Sequence, residues 1–159
     1  MDTHYFIQID AAEAKSDPLI QEFMGVVGDK VILDFKELQQ KKFMKFWPQF
    51  SIQRHEDGDF KCVFFGTYMV QMFGKERTGT MVSKMGSDVR RKSLLVALQE
   101  VLSTRRIYCA KGDLKVDGKD YQKWIQIKMP LRRNGEINEV VTFMTFSVSK
   151  NAVQRQKSE

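Results

Sequence analysis

Apolar positions along this chain switch between two spacings, and the changeovers mark its elements. Leu19, Ile20, Phe23, Met24 and Val27 recur at helical spacing after Asp17-Pro18, an N-cap followed by proline in the first turn, and run to Gly28. This predicts a short amphipathic helix. A second helical set, Phe35, Leu38, Phe43, Phe46 and Trp47, follows Asp34 and Glu37, which have the spacing of a capping box, and stops at Pro48. From Phe50 the period falls to two. Asp57-Gly58 separates FSIQR from FKCVFF, a strong hairpin signal because both residue types tolerate the positive φ that a tight two-residue turn requires. A short helix from Tyr68 to Phe73 comes next, with the Thr67 hydroxyl as its expected cap and Gly74 as its stop. Gly79 and Gly86 lead to a longer helix that Ser87 can cap, with Leu94, Leu98, Val101 and Leu102 on one stripe. Three strands follow, Ile107 to Val116, Tyr121 to Leu131 and Ile137 to Val148, broken at Asp117-Gly118 and Asn134-Gly135.

A hairpin, then helices, then a three-stranded meander make one α+β domain: a five-stranded antiparallel sheet with helices on one face and the N-terminal helices flanking it. The chain divides into an arm without clear period (1–16), an N-terminal helical segment (17–48), the core (49–149) and a short basic tail (150–159). Its 159 residues, 42% hydrophobic, suit a single buried core. No apolar run approaches the roughly 18 residues of a membrane span. The start MDTHYFIQID lacks the basic end and apolar stretch of a signal peptide, so a cytoplasmic protein without a membrane partner is expected.

Charge adds an asymmetry. Residues 1–37 hold eight acidic and three basic side chains, a net −5, so the remainder carries +11 to give the overall +6. An acidic leader on a basic body can dock within the chain. The basic body also admits an adaptor or nucleic-acid-binding role as the alternative function. Lys and Arg are scattered over every segment, however, which favours a solvated surface, and the Arg90, Arg91, Lys92 cluster reads the same way.

Alternation along Tyr121 to Leu131 places Tyr121, Ile125, Ile127, Met129 and Leu131 on one face and Gln122, Trp124, Gln126 and Lys128 on the other. The odd face is taken as core. Trp124 then stands on a polar surface and needs a cover, either the first helix through Leu19, Ile20 and Phe23 or a second subunit.

The local text from Phe64 to Gly79, with Phe64, Phe65, Gly66, Thr67, Phe73, Gly74, Thr78 and Gly79 at its fixed points, resembles PAS-like domains, in particular the small stand-alone PAS-like proteins of alphaproteobacteria. The late segment PLRRNGEINEVVTFMTFS and the element order agree, over about residues 18–148. The resemblance implies a non-enzymatic sensory or protein-interaction module. Such a module binds a small apolar or aromatic ligand under its long helix or dimerises through its sheet and flanking helices, so a homodimer and a partner signalling protein are expected. The pocket candidates are Tyr68, Met69, Met72, Phe73, Leu94, Leu98 and Val101, large soft side chains suited to an adaptable space. The PAS strand order also sets Cys62 and Cys109 at opposite sheet edges, beyond the about 7 Å that a disulfide can bridge, as buried thiols.

No cofactor is assigned. The long helix has no His for a haem iron; His4 lies in the arm and His55 beside a turn. The Asn-Cys-Arg-Phe text of flavin photosensors is absent. Asp57, Asp59, Asp117, Asp120, Glu136 and Glu139 flank the hairpin glycines, where turn chemistry accounts for them, and no catalytic or metal-binding set emerges.

Overall fold

Local signals near the N-terminus are realised atom by atom in this computed structural model, which describes residues 7–86, 88–113 and 122–148. Asp17 Oδ1 accepts from the amides of Leu19 (2.9 Å) and Ile20 (3.1 Å) and starts the helix Pro18–Val27. Asp34 and Glu37 close a reciprocal capping box over the helix Phe35–Leu38. The two described hairpins turn on Asp57-Gly58 (φ 51° and 76°) and Asn134-Gly135 (φ 53° and 81°), positive at both central residues as that turn demands. The third expected turn, Asp117-Gly118, the proposed cap Ser87, His4 and the tail 150–159 lie outside the described residues.

In chain order the elements are β1 (Ile7–Ile9), α1 (Ala11–Ala14), α2 (Pro18–Val27), β2 (Leu33–Asp34), α3 (Phe35–Leu38), a 3₁₀ segment (Lys41–Gln49), β3 (Phe50–Glu56), β4 (Asp59–Phe65), α4 (Thr67–Phe73), a 3₁₀ turn (Val82–Lys84), α5 (Asp88–Thr104), β5 (Tyr108–Asp113), β6 (Gln122–Arg133) and β7 (Glu136–Val148). The sheet runs β1-β5-β6-β7-β3-β4, antiparallel throughout, and β2 pairs parallel with β6 beside Leu131. The five strands expected from the sequence run β5-β6-β7-β3-β4, with β4 at one end and β5 at the other.

The expected sheet was five-stranded; the observed one gains β1 and β2. The arm therefore has structure: Ile7 to Ile9 pair with Lys111 to Cys109 and cover the edge that β5 would otherwise expose. Glu13 on α1 reaches Lys111 at 2.5 Å, Glu22 on α2 pairs with Lys45, and Thr145 donates to Asp17 Oδ2 at 3.0 Å, so the acidic leader does lie on the body.

Two further expectations change. The second helix is α3 followed by a 3₁₀ segment: Phe43 and Phe46 are three residues apart, and three residues per turn set both on the side facing the core. Thr67 does not cap α4, which begins one residue earlier in space with Gly66 as N-cap and no side-chain cap bond. Glycine is needed there for another reason, since a Cβ would fall 2.3 Å from the Pro48 carbonyl oxygen and 2.5 Å from that of Trp47.

Helices cover both faces of the sheet. On one, α2, α3 and the 3₁₀ segment bury Ile20, Phe23, Leu38, Phe43 and Phe46 against Phe50, Ile52, Ile127, Met129, Val141 and Phe143. On the other, α4 and α5 cover Phe60, Cys62, Phe65, Tyr108, Ala110, Trp124, Val140 and Met144 with Met69, Met72, Ala97, Leu98 and Val101. A bulge at Ile52/Gln53 shifts the β3–β4 register, which is why Cys62 and Phe65, three residues apart, face the same side. Cys62 and Cys109 are both free, buried and on opposite faces, and burial pushes each thiol up to about 11.

Candidate functional site

Pairing across β3, β7, β6 and β5 builds a polar floor from side chains far apart in sequence. Ser51 pairs with Thr142, Thr142 with Lys128 and Lys128 with Tyr108, a continuous row on the face under α5. Gln53, two residues along β3, and Gln126, two residues along β6, belong to the same face. All of them are largely withdrawn from solvent, Lys128 to 2% exposure and Gln53 and Gln126 to 4% each. This floor bounds a cavity of about 80 Å³. Phe65, Met69, Phe73, Met85 and Leu94 form walls with Trp124 and Met144, and the partly exposed Arg77 and Arg90 complete the lining.

Lys128 dominates the electrostatics. Its ammonium donates to Thr142 Oγ1 (3.0 Å) and Gln126 Oε1 (3.2 Å), both neutral, and among the described residues no carboxylate lines the cavity. Burial alone brings its proton affinity down to about 7, from an ordinary 10.5. Gln53 Oε1 is buried without a hydrogen-bond partner among the described residues. The arginines are held near the opening by Phe73, whose ring centroid lies 5.4 Å from the Arg90 guanidinium and 6.0 Å from that of Arg77. Arg90 is thus drawn to the cavity while its neighbour Arg91 pairs with Asp88 and donates to the Gly86 carbonyl (3.0 Å). The lining can hold a small, partly apolar molecule and offers it one buried cation, hydroxyls and amides.

Of the seven residues named from sequence, Met69, Phe73 and Leu94 line this cavity. Met72, Leu98 and Val101 are packed into the core beside it, and Tyr68 meets Phe146 edge to face at 5.6 Å. The assignment of Trp124 is corrected. It is 2% exposed, on the cavity face, whereas Ile20 and Phe23 pack on the other, odd face of β6, and Leu19 is packed there too. The two faces were exchanged because Gln126 and Lys128 read as solvent-facing, when they are the polar floor of an interior space. Deleting the first helix would leave Trp124 covered, and no subunit is needed to hide it. One signal pointed the other way: the nearly unbroken run VVTFMTF on the neighbouring strand marks a sheet buried on both sides.

Among the described residues no group of His, Cys, Asp and Glu could hold a metal ion, and no helix is long and apolar enough to cross a membrane. His55 meets Phe60 edge to face at 5.2 Å, at the strand end.

No family model matches the chain, and no curated protein matches it. Among solved structures it is similar to a sensory box histidine kinase/response regulator from Burkholderia thailandensis, with a TM-score of 0.41 and 13% identity over 70% of this chain and 85% of that one.

Proposed function

We propose that the chain is a PAS-type sensory or protein-interaction module that takes a small ligand into the cavity between α5 and the sheet and passes its occupancy to a partner protein. One observation carries this reading: a cavity whose floor holds a buried lysine and an unsatisfied glutamine carbonyl, groups that a core built only for stability would replace with hydrocarbon. Adaptable methionines at Met69, Met85 and Met144 let the walls adjust to an occupant. Above them α5 is the element best placed to respond, since it packs on the cavity with one side and presents Val96 to solvent with the other.

Native mass spectrometry of the protein purified from its own host tests the reading. A bound small molecule that leaves on denaturation is expected, and the same spectrum reports whether the chain is the homodimer that its resemblance to PAS domains implies. Recovery of the bare chain only, together with failure of any small probe to enter the cavity, would oppose it.

A further inference from the structure

Resting on that reading, we propose that the ligand is a short-chain carboxylate, bound with its carboxyl group on Lys128 and its hydrocarbon tail among Met69, Leu94 and Met144. A buried ammonium needs a counter-charge more than it needs neutral acceptors, and Gln126 and Thr142 supply only two neutral ones. An entering carboxylate provides the missing charge. Among the described residues none that lines the cavity is an acid that would compete, while Arg77 and Arg90 along the lining favour entry of an anion. Gln53 Oε1 adds an independent mark of an absent occupant, an acceptor available to a hydroxyl or a water carried in with the anion. The tail is short because the space, about 80 Å³, is about half that of the engineered apolar cavity of roughly 150 Å³ that admits benzene. An inorganic anion fits less well, since the walls above the floor are hydrocarbon and sulfur.

The binding should be pH-dependent, and Lys128 is the group that makes it so. Other charged or titratable groups on the elements around it are few. Arg90 faces the cavity from α5, where Asp88 and Arg91 pair with each other and Lys92 and Glu100 are exposed. Arg77 and the exposed Glu76 lie in the loop after α4, and burial raises both Tyr108 on β5 and Cys62 on β4. Lys128 has its midpoint near 7, so the charged form that receives the carboxylate is lost as pH rises through that value.

The test titrates the full chain with butyrate and with its neutral isostere butyramide, at pH 6 and pH 8.5, following the methyl NMR signals of Met69, Met85 and Met144. Butyrate is expected to shift them saturably and to bind about 30-fold more weakly at pH 8.5, in step with the loss of charge on a group titrating near 7. Lys128→Met should abolish butyrate binding while keeping a dispersed, folded spectrum and admitting butyramide. Equal, pH-independent binding of butyrate and butyramide would overturn the carboxylate proposal and leave the ligand cavity standing. If neither probe enters at tens of millimolar, the cavity reading fails and this proposal with it.

Discussion

The two faces of the sheet are made from the same strands and built to different ends. Under α2, Phe23 sits inside a cage of rings, with Phe143, Phe46, Phe50 and Phe43 at centroid distances of 4.6, 5.3, 5.7 and 6.2 Å. Polar atoms there are answered: Trp47 Nε1 donates to the Leu38 carbonyl at 2.7 Å, and the Thr145 hydroxyl to Asp17. Under α5, Met69, Met72, Met85 and Met144 sit among the rings of Phe60, Phe65, Tyr108 and Trp124, the packing leaves a cavity, and a lysine is buried with no anion beside it among the described residues. Stiff, interlocked aromatics hold a fold in one state. Soft side chains around a polar floor give up some of that stability and gain a place that something else can fill.

The largest effect should come from breaking the aromatic face. Phe23→Ala removes the centre of the cage and is expected to cost about 3–5 kcal/mol in urea unfolding, because a well-packed neighbourhood cannot collapse into the space left. A loss below about 1 kcal/mol would mean that this face is no better packed than the other.

Next in size, and opposite in sign, is Lys128→Met. The native Lys128 titrates near 7 and the unfolded chain near 10.5, so between these values unfolding takes up a proton and wild-type stability rises with pH; below 7 the penalty is complete. The variant should therefore be more stable than wild type by about 2–4 kcal/mol at pH 6, with the difference shrinking toward pH 10. A variant less stable than wild type at both pH values would show that the Lys128 hydrogen bonds outweigh its burial.

Gly112→Ala sharpens the comparison more locally. A Cβ at Gly112 would stand 2.6 Å from Cζ2 of Trp124, which lies across from it on β6, so the indole must move toward the cavity. A loss of about 1–3 kcal/mol is expected, with altered Trp124 fluorescence read in a Trp47→Phe background. The smallest change is Asp34→Ala, which opens the capping box of α3 and should cost about 1 kcal/mol without disturbing the cavity signals.

These residues also show what the sequence could and could not convey. Capping at Asp17 and Asp34 and turning at Asp57-Gly58 and Asn134-Gly135 are local chemistry, written in adjacent residues, and each was legible. The order of the five expected strands followed from the resemblance stated for the sequence, whereas β1 escaped because three residues at an edge have too little period to detect. The cavity was half legible. Met69, Phe73 and Leu94 come from helices named in advance, but the floor depends on register: Ser51, Thr142 and Lys128 meet only once β3, β7 and β6 are paired. Alternation identified the two faces of β6 and could not say which lay under α5, because a polar residue in an interior cavity reads like one in water.

Xenon tests the contrast between the faces without presuming any ligand chemistry, since it enters cavities and avoids filled cores. The measurement is the shift of methionine methyl NMR signals under xenon pressure, comparing Met69, Met85 and Met144 beside the cavity with Met129, buried on the aromatic face. Saturable shifts of the first three and none at Met129 are predicted. Unmoved signals throughout, or a response at Met129 equal to the rest, would contradict the account that one face is a filled core and the other a site.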